Sequence, residues 1–167
     1  MEYVISDLHL GHTNIIKYCN RPFRSVEHMN TELIDRWNNT VTNDDTVYYL
    51  GDLSVNEPYQ WLKQLNGNIV LIRGNHDKRL KRTRTDKIIE YNGEKFLLIH
   101  TPYWIDREWD GWVIHGHHHN NETKLHPLCN KKTKMFNVCV ELIDYTPIEL
   151  GKLLELREKE DQQTETD

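Results

Sequence analysis

YVISDLH, residues 3 to 9, carries an apolar, strand-like stretch straight into an aspartate and a histidine. Branched and aromatic residues favour extended backbone, and the polar pair marks where burial stops. The fold turns on whether this arrangement recurs, and it does. TVYYL (46–50) runs into Asp52, and NIVLI (68–72) into Asn75, His76 and Asp77. KFLLI (95–99) runs into His100, and GWVI (111–114) into HGHHH (115–119). Five apolar stretches thus each deliver Asp, Asn or His at their C-terminal ends, a regularity that scattered surface residues would not show. FNVCVEL (136–142) is a sixth candidate strand.

Helical spacing lies between them. Val26, Met29, Leu33, Ile34 and Trp37 follow it, with Ser25 as N-cap and His28 where a capping box would want Glu or Gln. A second helix is expected from Pro58 to Leu65, ending near Gly67, and a third from Thr146-Pro147 through Leu156. Asn92-Gly93 between KIIEY and EKFLLI signals a hairpin. Strands mixed with helices read as an α/β or α+β layered domain over residues 1–160, and the polar stretch 161–167 as a disordered tail.

With 37% hydrophobic and 28% charged residues, the chain has the balance of a soluble domain. No apolar run approaches the ~20 residues of a membrane span, and the first residues lack a basic-then-apolar leader, so a cytoplasmic location is expected. Three cysteines (Cys19, Cys129, Cys139) without CxxC spacing read as reduced thiols. The net charge of -5 argues against the whole chain binding a polyanion. The stretch 78–87, KRLKRTRTDK, stands apart with six basic residues against one acid: a solvated loop, or a patch for a phosphate backbone.

Imidazoles and carboxylates without thiolates suit two divalent ions such as Zn, Mn, Fe or Co. A carboxylate such as Asp52 can bridge two ions, and two carboxylates offset only half of their charge, leaving a surplus for a hydroxide and an anionic phosphate ester. Glycines before three of the polar groups (Gly51, Gly74, Gly116) allow sharp turns into a crowded centre. His76 neighbours Asn75 and has the chemistry to protonate a leaving alkoxide as a general acid. In HGHHH, alternation leaves His115, His117 and His119 on one face and His118 on the other.

The ordered series DLH (7–9), GD (51–52), GNHD (74–77), His100 and GHHH (116–119) resembles the calcineurin-like metallophosphoesterase superfamily, whose pattern is DxH, GDxx, GNH[DE], a lone His and GHxH. SDLHLGHTNIIKYCNRPF (6–23) is similar to a small bacterial and phage branch of that family without a cap domain. The resemblance implies a four-layer α-β-β-α sandwich, two mixed β-sheets packed together with helices outside. It implies that Asp7, His9 and His119 hold one metal, that Asn75, His100 and His117 hold the other, and that Asp52 bridges them. His76 is then the proton donor and Asp77 orients it. His115 becomes a strand-end residue near the site, and His118 a spacer facing solvent or substrate. Two divalent ions are implied, Mn expected and Zn, Fe, Ni or Co compatible.

His12, Asn14, Arg21 and Arg24 follow the first motif and are candidates for a wall contacting substrate; surface loop residues are the alternative. Arg107, Tyr103, Trp104 and Trp109 follow His100, placed either to stack on a base or to pack a small core. The expected activity is hydrolysis of a phosphodiester, a small nucleotide or nucleic acid, with phosphomonoester hydrolysis as runner-up. A monoester carries extra charge, so cations such as Arg21 or Arg24 at the site would favour it. A nuclease using the basic run is a third reading. From another class, a retromer subunit of the superfamily uses this fold to bind protein and lacks the complete catalytic set. A monomer or homodimer is expected, with no membrane partner.

Overall fold

In the computed structural model, residues 1–164 are described, with side chains through 158. Two mixed β-sheets and their helices form an α/β fold. In the first sheet, β1 (Glu2–Ile5), β2 (Thr46–Tyr49) and β3 (Asn68–Leu71) run parallel, in the order β3-β2-β1. The second sheet joins the hairpin β4 (Asp86–Tyr91) and β5 (Glu94–Ile99) to β6 (Trp112–His115). It continues through β8 (Met135–Asn137) to β7 (Cys129–Asn130) at the far edge. Asn92 and Gly93 both take positive φ (52° and 80°), the backbone of the expected primed turn.

Register decides where the chemistry falls. Ile5 lies opposite Tyr49, and Tyr49 opposite Leu71, so three parallel strands end level. In the second sheet Ile99, His115 and Asn137 end level in the same way. A seam then brings the two sets of ends together. Ser6 N donates to Val138 O (3.1 Å), and Val140 N donates to Ser6 O (3.2 Å). Polar loops at the carboxyl ends of parallel strands are where α/β folds place ligands.

The helix α1 (Ile15–Tyr18) is a single turn, and α2 (Val26–Thr40) begins where the expected cap lies, with Ser25 Oγ accepting from His28 N at 3.2 Å. Its buried stripe of Met29, Leu33 and Trp37 faces the core, and Trp37 meets Tyr49 of β2 at 6.2 Å between ring centroids. The helix α3 (Pro58–Leu62) has its proline in the first turn but stops short of Leu65.

Two expected boundaries shift. The run 136–142 is no continuous strand: β8 stops at Asn137, and 140–142 forms a 3₁₀ turn. Its backbone there pairs with Ser6 across the seam instead. The last helix, α4 (Leu150–Thr164), starts after residues 148–149, which form β9 antiparallel to Tyr3 and Val4. The open edge of β1 offers hydrogen bonds that outweigh one more helical turn. The helix enters the stretch expected as a tail; residues 165–167 lie outside those described. Arg157 of α4 pairs with Glu94 at 2.6 and 2.7 Å and lies over Trp112. On the outer face of the second sheet, Leu97, Ile99 and Val113 are covered by Ile105 and Trp109 of the loop after β5.

Candidate metal centre

The turns after the strands bend sharply. Asp7, His9, Asp52, His117 and His119 all hold positive φ, between 49° and 74°. That left-handed region costs a non-glycine residue free energy and gathers where function demands it. The first two turns are zipped together, with Asp7 N donating to Gly51 O and His9 N to Asp52 O, both at 3.0 Å. The glycines serve close approach, as expected. A Cβ on Gly74 would run into the Asp52 carboxylate, and one on Gly116 into Ser6 Oγ and Asp7 Oδ2.

These turns converge on one buried cluster. Asp7 Oδ1 stands 3.6 Å from both His9 Nε2 and His119 Nε2. Asp52 Oδ2 stands 3.6 Å from His9 Nε2 and 3.5 Å from His100 Nε2. Asn75 Oδ1 lies 3.0 Å from both His100 Nε2 and His117 Nδ1. Ligand atoms about 2.0–2.2 Å from one ion would be spaced roughly 3–3.5 Å apart. Asp7 Oδ1 and both ring nitrogens of His9 are buried without a hydrogen-bond partner, a state that buried polar groups avoid unless something else satisfies them. The donor set fits hard to borderline divalent cations.

Neighbours fix the orientation of these side chains. Asp7 commits its other oxygen, Oδ2, to Ser6 Oγ, to His117 N (2.9 Å) and to Cys139 Sγ (3.2 Å). His100 Nδ1 sits 2.7 Å from Leu50 O, and His119 Nδ1 3.0 Å from Glu141 Oε1. Both contacts fix the Nδ1–H tautomer and leave Nε2 toward the centre. Burial works to lower the pKa of His100, yet the Asp7 and Asp52 carboxylates raise it to about 9. Burial likewise opposes His119, but Cys19, Glu141 and Asp7 raise it to about 11. Burial works against the Asp7 carboxylate too, and the surrounding histidines hold it well below its usual range. The cluster favours positive charge.

His76 stands at the rim, its side chain about half exposed (52%), with Nε2 4.0 Å from Asp52 Oδ2. Asp77 is arranged differently from the expectation. Its carboxylate accepts from the backbone N–H groups of Asp52 (2.8 Å), Leu53 (3.0 Å) and Gly74 (2.9 Å). It shapes two turns, and the contacts of its carboxylate are to backbone rather than to the His76 ring.

The expected wall of substrate contacts dissolves into separate roles. His12 lines the 300 Å³ cleft over the cluster with His9, His76 and His119. Asn14 is the exposed N-cap of α1, outside that lining. Arg21 is buried (4% exposed): it pairs with Glu141 at 2.7 Å and donates to the carbonyls of Asp7 (2.7 Å) and Leu8 (2.8 Å). That burial removes it from any substrate. Arg24 is exposed at the start of α2, and its amide donates to the His28 ring. His115 is buried against Gly116 O (2.9 Å), as a strand-end residue should be. His118 faces neither solvent nor substrate, being buried and stacked on His126 at 3.6 Å. Glu141, the lone acid inside FNVCVEL, is a further partner of the cluster that the motifs do not include.

A buried cluster of this composition at the strand ends of two mixed sheets is a candidate metal centre. Residues 2–138 match the calcineurin-like phosphoesterase superfamily domain, and the chain belongs to that superfamily, whose activity is hydrolysis of phosphoric esters. It is 51% identical over 165 residues to the protein MJ1445 of Methanocaldococcus jannaschii, covering 94% of this chain and 91% of that one. It is 36% identical over 78 residues to the gene 66 protein of Mycobacterium phage L5, covering 43% of this chain and 37% of the other. The crystal structure of AQ665 from Aquifex aeolicus, a protein of unknown function, superposes with a TM-score of 0.72 at 28% identity over 93% of this chain and 98% of that chain. Among the described residues, no helix is long and apolar enough to cross a membrane.

Proposed function

We propose that the protein hydrolyses a phosphodiester of a small nucleotide or nucleic acid, using two divalent ions held by Asp7, His9, His119, Asn75, His100 and His117 with Asp52 between them. The observation that carries this reading is Asp52 Oδ2 facing His9 Nε2 and His100 Nε2 at 3.6 and 3.5 Å, one carboxylate oxygen shared by two imidazoles. Bound there, two ions supply Lewis-acid polarisation of the phosphoryl group and an acidified water as nucleophile. Asn75, His100 and His117 shape the face where the phosphoryl oxygens rest. His76, half exposed at the rim, holds the proton that the leaving alkoxide takes.

The burial of Arg21 and the placement of Arg24 outside the cleft supports a diester over a monoester. Neither of these two arginines supplies the centre with the extra positive charge that a doubly charged phosphate would want. Manganese is the ion we expect. The test compares bis-p-nitrophenyl phosphate with p-nitrophenyl phosphate on the Mn²⁺-loaded chain, in the parent and in His76→Ala. On a dinucleotide, whose alkoxide leaving group needs the proton that p-nitrophenolate does not, the variant should keep its metals and lose roughly 10²- to 10⁴-fold in turnover. Full activity in His76→Ala sinks the assignment of the acid; no ester hydrolysis by the parent favours a protein-binding scaffold.

Lys78, Arg79, Lys81, Arg82 and Arg84 are exposed on the loop directly after His76, which supports nucleic acid as the diester. Salt-sensitive binding of single-stranded DNA, lost when Arg79, Lys81 and Arg82 are neutralised, tests that choice.

A further inference from the structure

Next to the metal cleft lies a second one, of about 420 Å³, and the two meet at Asn75. From His100 and Asn75 this second cleft runs over Ile99 to the indole of Trp104, with Arg73 and Asp86 also in its lining. It opens further into a concavity of about 400 Å³ that shares Asp86, Ile99 and Trp104. Trp104 is 80% exposed. Its indole lines both concavities and is open to a ligand entering either. It lies four residues after His100, on the 3₁₀ turn 102–104 that begins at buried Pro102.

The chemistry of the cleft is graded along its length. At the cluster end stand Asn75, His100 and the exposed cation Arg73. In the middle is a flat aromatic face beside the aliphatic Ile99. Beside that middle stands the Asp86 carboxylate, opposite Ile99 in the strand register and able to accept from a ring N–H. A phosphate at one end and, at the other, a planar heterocycle with a donor on its edge is the layout of a nucleoside phosphate. Stacking on an aromatic side chain is the sequence-tolerant way to hold a base.

We infer that the cleft between Arg73 and Trp104 is a nucleoside subsite: the base stacks on Trp104 while its 5′-phosphoryl group sits at the metal cluster. This rests on the phosphodiesterase reading above and deepens it. It also assigns the two substituents of the diester. His76 lines the metal cleft but not the Trp104 cleft, so the alkoxide it protonates departs on the far side. The nucleoside in the Trp104 cleft is the substituent that stays on phosphorus.

Two esters with the same leaving group isolate that retained substituent: thymidine 5′-(p-nitrophenyl) phosphate and methyl p-nitrophenyl phosphate. In each, water forms the new P–O bond, the bond to p-nitrophenolate breaks, and thymidine 5′-monophosphate or methyl phosphate remains. The Mn²⁺-loaded parent should prefer the nucleoside ester in kcat/KM. Trp104→Ala should lower kcat/KM for that ester by roughly 5- to 100-fold and leave the methyl ester unchanged, while Trp104→Phe retains most of the preference. Equal losses on both esters, or no loss on either, overturn the subsite while the phosphodiesterase reading stands. If the parent hydrolyses neither ester, that reading fails, and a calorimetric titration with thymidine 5′-monophosphate decides the subsite alone. Tighter binding to the parent than to Trp104→Ala keeps it, and equal or absent binding overturns it.

Discussion

Glu141 Oε1 accepts from His119 Nδ1 at 3.0 Å and from the Arg21 guanidinium at 2.7 Å, so one buried carboxylate oxygen orients a metal-ligand candidate and neutralises a buried cation. A carboxylate behind a ligating imidazole fixes its tautomer and raises its basicity. Glu141→Gln preserves shape and removes the charge. We expect Mn²⁺ affinity to fall roughly 10- to 100-fold, read by calorimetric titration. An unchanged affinity would show that the carboxylate does nothing for the centre.

Arg21→Met should behave as a stability variant. Removing one partner of a buried pair leaves the other charge uncompensated, at a cost of about 3–5 kcal/mol. Urea unfolding should show that loss, while KM for bis-p-nitrophenyl phosphate at saturating Mn²⁺ stays at the parent value. A raised KM with unchanged stability would mean that the guanidinium reaches substrate after all.

Gly74→Ala places a methyl group against the carboxylate and amide of Asp52, between two turns already pinned together by three hydrogen bonds to Asp77. Neither side can withdraw. We expect a loss of about 1–3 kcal/mol in folding stability. Metal content by elemental analysis should fall below that of the parent. Parent-like stability and metal content together would contradict the tight approach of the two turns.

The metal-free protein should weaken in mild acid. Burial, reinforced by nearby histidines including His126, lowers His115 and His118 from the ordinary 6.5 to about 4. Unfolded, both take up protons near pH 6.5; folded, only near pH 4. Between those values the unfolded state binds more protons, so stability declines as pH falls from about 6.5 to about 4. Urea midpoints of chelator-treated protein across that range check the direction, and a midpoint that rises toward pH 4 would contradict it.

Much of the architecture is legible in short apolar runs, because parallel buried strands leave a plain signature and their polar ends mark one edge of each sheet. The hairpin at Asn92-Gly93 and the Ser25 cap are local chemistry and read just as directly. What escapes is set by partners distant in sequence. Residues 148–149 become a strand only because the edge of β1 is open. Arg21 looks like a surface cation until Glu141, from the far side of the chain, arrives beside it. His118 sits in the motif's variable position, and nothing local says that it will stack on His126. The left-handed turns are equally silent, since Asp and His carry no glycine-like mark of positive φ.

Those turns bear on redesign. Five of the seven residues in the cluster owe their direction to a backbone conformation that ordinary strands do not supply. Copying the side chains onto regular strand ends of another scaffold would aim them apart, and branched residues could not stand in at these positions even as inert placeholders. The transferable unit is the set of kinked strand ends with their glycines, not the list of side chains.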